Sequence, residues 1–98
     1  MIKQSPVKGN ESIKVSFILP RSTPNGKVSV VGDFNGWDPY AHPLRPRSNG
    51  TRSVVLTLPP GRRYAFRYLG EGGHWHDDES AATFESNGVG GVNGILET

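Results

Sequence analysis

No stretch of this chain keeps a helical hydrophobic period beyond two turns, because turn signals interrupt it roughly every eight to twelve residues. Thirteen glycines and eight prolines supply those interruptions, spread along the chain rather than collected in one linker. The segments between them alternate. Ile13, Val15, Phe17 and Leu19 stand two apart, which predicts a strand with one buried face, ended by Pro20. Pro24 and Asn25-Gly26 signal a turn, and Lys27 to Phe34 reads as a second strand with Val28 and Val30 on one face. Gly32 to Asp38 is rich in turn formers, and Pro39, Pro43 and Pro46 hold the next segment irregular or at a sheet edge. Ser48-Asn49-Gly50 is a hairpin signal placed directly before the β-branched run Thr51 to Leu58.

After Pro59-Pro60-Gly61, Arg62 to Leu69 puts Tyr64, Phe66 and Tyr68 on one face and Ala65, Arg67 and Leu69 on the other. Gly70 to Gly73 turns the chain, His74-Trp75-His76 begins a return strand, and a last short strand falls around Ile95-Leu96-Glu97. About seven short strands predict an all-β, antiparallel β-sandwich. Residues 1–12, polar and turn-forming, are expected to form a flexible N-terminal arm, leaving residues 13–98 as the domain.

Ninety-eight residues make one small domain with little room for a deep catalytic cavity besides a core. A net charge of +2 is too small to argue for nucleic acid, although Arg45, Arg47, Arg52, Arg62, Arg63 and Arg67 cluster in sequence. The absence of cysteine removes disulfides and thiolate metal sites. No run approaches the length of a membrane span, and the first residues lack the apolar core of a signal peptide. A cytoplasmic location is therefore expected, and the glycosylation-type triplets at Asn10 and Asn49 carry no weight there.

Catalytic patterns fail one by one. There is no nucleophile elbow, no phosphate-cradling loop, and no carboxylate pair framed as acid and base. Asp77 and Asp78 are adjacent and would point to opposite faces of a strand. The glycines from Gly88 to Gly94 lack a following helix, which argues against a dinucleotide site. His74, His76, Asp77 and Asp78 could compose a metal site, but no third ligand is identifiable elsewhere, so a solvated loop beside Trp75 is the simpler reading. Neither an enzyme nor a cofactor is expected.

The tryptophans say more. Trp37 lies in a turn among small and polar residues, and Trp75 lies between two histidines after four turn residues. Each indole either folds back onto the core or stands outward as a flat platform. An outward indole suits a pyranose ring, whose C–H face packs on it while hydroxyls at the ring edge need polar partners. Asn35, Arg67, His74 and Asn93 would supply those partners, if folding gathers them around Trp37 and Trp75.

Four segments follow the order of a known pattern: Val28 to Trp37 (VSVVGDFNGW), Tyr64 to Leu69 (YAFRYL), Gly73-His74-Trp75 with Asp77-Asp78, and Gly90 to Asn93 (GGVN). Over roughly Ile13 to Glu97 the chain resembles carbohydrate-binding module family 48, the isoamylase N-terminal or early-set domain, related to the glycogen-binding domain of the AMP-activated protein kinase β subunit. The resemblance implies an immunoglobulin-like sandwich that binds α-glucans such as glycogen, starch or maltooligosaccharides without catalysis. It implies Trp37 and Trp75 as stacking platforms, Arg67 and Asn93 as hydrogen-bonding groups, and Val89 as an apolar brace. Gly91 departs from the threonine of the kinase modules, and the turn before Trp75 is longer by about one residue. The alternative implied function is a docking module for a glycogen-metabolising enzyme that has lost sugar binding.

Overall fold

The computed structural model describes residues 1–9, 11–20, 26–78, 80–88 and 91–98. Among them nine strands form: β1 (Ile2–Pro6), β2 (Ile13–Pro20), β3 (Val28–Gly32), β4 (Arg45–Pro46), β5 (Thr51–Leu58), β6 (Arg63–Gly70), β7 (Trp75–His76), β8 (Thr83–Ser86) and β9 (Val92–Glu97). One sheet runs β1-β2-β5-β4 and the other β3-β6-β9-β8, with β7 also paired to β6. Every pairing between these strands is antiparallel. Seven strands have four residues or more, and β4 and β7 are two-residue additions at turns. The all-β sandwich read from the sequence is the fold. No helix among the described residues is long and apolar enough to cross a membrane.

The N-terminal segment departs from expectation. Residues 1–12 were expected to be a flexible arm, yet Ile2–Pro6 is a strand in register with β2, from Ile2 opposite Phe17 to Pro6 opposite Ile13. Its sequence, Ile-Lys-Gln-Ser-Pro, carries almost no apolar signal because four of its five side chains face solvent. Backbone hydrogen bonds to β2 hold it, and Ile2 packs against the core. Pro6 is tolerated because β1 is an edge strand. β8 also escaped the sequence reading, since all four of its residues are exposed.

Alternation puts Val15 and Phe17 of β2, Leu56 and Leu58 of β5, Val28 and Val30 of β3, and Phe66 and Tyr68 of β6 into one core between the sheets. Phe17 crosses from one sheet to meet rings of the other, tilted against Phe66 at 5.5 Å and edge-on to Tyr68 at 6.4 Å. The packing leaves β6 with a buried inner face and an outer face that carries Ala65, Arg67 and Leu69.

The inner face reaches one buried carboxylate. Asp78 accepts hydrogen bonds from the Tyr68 hydroxyl at 2.6 Å, the Ser80 hydroxyl at 2.6 Å and the Ser80 backbone N–H at 2.9 Å, and pairs with the Met1 ammonium at 3.0 Å. Burial alone would raise the pKa of Asp78, but these donors outweigh it and hold the carboxyl below its ordinary value. Tyr68 moves upward, through burial first and its bond to Asp78 second.

Candidate functional site

The segment Asp33-Phe34-Asn35 forms a single 3-10 turn directly after β3, and Gly36 closes it in the left-handed region at φ +66°. Trp37 follows with φ +60°, the one non-glycine residue at positive φ among the described residues. A bulky side chain in that conformation costs about 1–2 kcal/mol of backbone strain. Three contacts hold it. The Trp37 backbone N–H donates to the Gly32 carbonyl at 3.0 Å, the indole Nε1–H donates to Asp33 Oδ1 at 3.0 Å, and the ring meets Trp75. Gly32 is needed for a different reason: its backbone is extended, but a Cβ there would come within 2.5 Å of the Ala65 carbonyl oxygen.

Trp75 arrives from the opposite direction. The glycine-rich turn after β6 returns the chain as β7, so Trp75 sits beside Leu69 and His76 beside Tyr68. Trp75 shares the outer face with Leu69 and Arg67, and it is 46% exposed. Its ring centroid lies 6.5 Å from that of Trp37, with the planes at 65°. The two indoles, far apart in sequence, therefore form one aromatic surface with Trp37 half-buried.

Arg67 completes that surface. Its guanidinium carbon lies 5.3 Å from the Trp75 ring centroid, a cation–π arrangement, and its Nε–H donates to Asp77 Oδ1 at 2.9 Å. The ion pair is partly exposed, so its worth lies in fixing the guanidinium more than in stability. Asp77 and Asp78 do point to opposite sides, one to Arg67 on the outer face and one to Tyr68 on the inner face. Val31, opposite Arg67 on β3, is fully buried although strand alternation puts it on the outer face.

The remaining expected residues separate into different places. Asn93 lies on β9 opposite Glu85, and β9 pairs β6 up to Gly94 opposite Phe66. Strand alternation therefore puts Asn93 next along on the Arg67 face. Asn35 turns inward: its amide N–H groups donate to the Val30 carbonyl and meet His42 Nδ1, and its Oδ1 accepts from the Gly32 N–H. Those bonds make it a brace for the Trp37 turn. His74 is exposed, with its ring lying against Gly72. Val89 lies outside the described residues. At Gly91, a Cβ would come within 2.9 Å of the Asn87 amide, whose oxygen accepts the Gly91 N–H.

Two positioning residues were missed by the sequence reading, Asp33 and Asp77. The spacing of Asp33 four residues before Trp37 was the available signal for the first. For the second, it was the opposed faces of Asp77 and Asp78, which leave Asp77 on the Arg67 side.

Fold and outer face together define the class, an immunoglobulin-like early-set β-sandwich carrying an aromatic pair. The family model described as carbohydrate-binding module 48 (isoamylase N-terminal domain) matches residues 9–81. The chain belongs to this family. It is similar to a 1,4-alpha-glucan branching enzyme, GlgB 2, of Xanthomonas campestris pv. campestris, 48% identical over 44 residues that make up 44% of this chain and 6% of that protein. A branching enzyme of Ralstonia nicotianae is 48% identical over 58 residues, covering 52% of this chain and 7% of the relative. That of Deinococcus radiodurans is 46% identical over 56 residues, covering 55% and 8%. The chain thus spans only 6–8% of the length of these curated relatives.

Proposed function

We propose that this chain is a non-catalytic module that binds α-glucan chains, glycogen or its maltooligosaccharide fragments, on the outer face of the β3-β6-β9-β8 sheet. The observation that carries the reading is the pairing of Trp37 with Trp75 at 6.5 Å and 65°. Two indoles at an angle suit a ligand whose successive rings turn relative to one another, as α-1,4-linked glucose does. A flat, extended glucan would call for coplanar platforms. Arg67, held by Asp77, and Asn93 supply hydroxyl partners at the rim, while Asp33 and Asn35 hold the turn that presents Trp37. The similarity to glucan branching enzymes supports an α-glucan over other sugars.

An open site with two platforms binds weakly, with a Kd of ~10⁻⁵–10⁻³ M, and works on a polymer through its many chain ends. Affinity electrophoresis in glycogen-containing gels tests the reading. The unaltered chain is retarded, and Trp75→Ala is not. Equal mobility of the two in glycogen contradicts it.

A second reading, docking onto a glycogen-metabolising enzyme, draws on Phe84 and Val92. These are 44% and 41% exposed, and they lie diagonally across β8 and β9 on one face. Capture of such an enzyme that survives amylase treatment supports docking, and capture lost with the glucan supports the first reading.

A further inference from the structure

Beside the aromatic pair, on the same outer face, lies a groove of about 440 Å³, within the range of small-ligand sites. Pro39, Tyr40, Pro43 and Leu69 form its apolar walls, and Lys27 and Glu71 stand at its polar rim. Its position follows from the register. Pro43 bridges Ser29, Ser29 pairs with Leu69, and Leu69 pairs with Trp75, so one lateral row of residues runs from the groove to the second indole. Adjacent strands are ~4.8 Å apart, so each step along that row is about the width of a sugar ring.

Tyr40 is the other link. It is 88% exposed, and its hydroxyl has no hydrogen-bond partner among the described residues. Yet its backbone is fixed: its N–H donates to Asp38 Oδ1 at 2.9 Å, and the Ala41 N–H donates to the Asp38 carbonyl at 3.3 Å. The turn that presents Trp37 thus presents a second aromatic ring three residues later, over the groove. An exposed tyrosine by itself needs no explanation. One at the wall of a groove continuous with an aromatic pair offers a ring face and a free hydroxyl to the same polymer.

We propose that Tyr40 and this groove form an extension subsite, which takes the glucose units of an α-glucan chain that continues past Trp75. The subsite rests on the glucan-binding reading above and deepens it: it makes the module select for chain length. C–H faces of the added units pack on Tyr40, Pro43 and Leu69, while Lys27, Glu71 and the Tyr40 hydroxyl meet their hydroxyls.

Isothermal titration of the full chain with maltotriose and with maltoheptaose, for the unaltered protein and for Tyr40→Ala, tests the subsite. Tyr40 is exposed, so its replacement leaves the fold in place, which the amide NMR spectrum checks. The expected result is weaker maltoheptaose binding in Tyr40→Ala by about three- to tenfold, with maltotriose binding unchanged. Tyr40→Phe retains most of the affinity that Tyr40→Ala loses. If Tyr40→Ala binds both sugars as the unaltered chain does, or weakens both equally, the subsite is refuted while glucan binding at the indoles stands. If the unaltered chain binds neither sugar, the glucan reading and the subsite fall together.

Discussion

Asp33 holds Trp37 by its indole, accepting from Nε1–H at 3.0 Å on one carboxylate oxygen while the other accepts the Ala65 backbone N–H at 2.9 Å. One side chain thus ties the Trp37 ring to β6, the strand that carries Arg67. Asp33→Ala frees the indole, and maltoheptaose affinity falls by about two- to tenfold in calorimetric titration. Asp33→Asn recovers only part of it, because an amide nitrogen cannot accept from the second donor.

The left-handed backbone of Trp37 separates stability from binding. Trp37→Ala keeps a Cβ in a strained conformation, whereas Trp37→Gly removes it. Urea unfolding should find the glycine variant about 1 kcal/mol more stable than the alanine variant. Neither binds glycogen. An alanine variant as stable as the glycine variant contradicts the strain account.

Gly32 and Gly36 flank the same turn for different reasons, and alanine at each separates them. Gly36→Ala meets no atom within 4 Å and pays only the left-handed conformation, about 1–2 kcal/mol. Gly32→Ala drives a methyl into the Ala65 carbonyl and the Phe66 side chain at the β3–β6 seam. Its cost is about 1–3 kcal/mol or more, with shifted amide signals on both strands rather than at the turn alone.

The core was legible wherever burial falls on one face. Ile13 to Leu19 and Tyr64 to Tyr68 alternate because one side of each strand meets the opposite sheet, and both segments are strands with those residues inward. The solvent-facing edge strands β1 and β8 leave no such trace. β1 and β8 are held by backbone bonds, which ask for no side-chain pattern, so Lys3-Gln4-Ser5 and Thr83 to Ser86 carry no strand signal. The same limit applies to the site. Trp37 and Trp75 stood out as large rings among turn residues, but Asn35 was read as a rim group because its partners are the backbone atoms of Val30 and Gly32 and the ring of His42. Pairing Asp33 with both Trp37 and Ala65 depends on the turn geometry, which the sequence names without measuring.

Asp78 links acid stability to the inner face. Its folded pKa lies below the ordinary value of 3.8, so the unfolded chain binds the proton more readily. The stabilisation is fully present above the unfolded value and is lost as pH falls through the lower folded value. Urea midpoints measured from neutral to acid pH should show the unaltered chain ahead of Asp78→Asn at neutral pH, with the gap closing below pH ~4. A gap independent of pH contradicts the assignment.

The most direct test follows the two indole N–H signals of the isotope-labelled chain by NMR as maltoheptaose is added to millimolar concentration. Joint shifts of the Trp37 and Trp75 signals along one saturation curve, with the Arg67 Nε–H moving beside them, are the predicted result. Signals that stay in place, or movement of one indole without the other, would contradict a glucan site built on the pair.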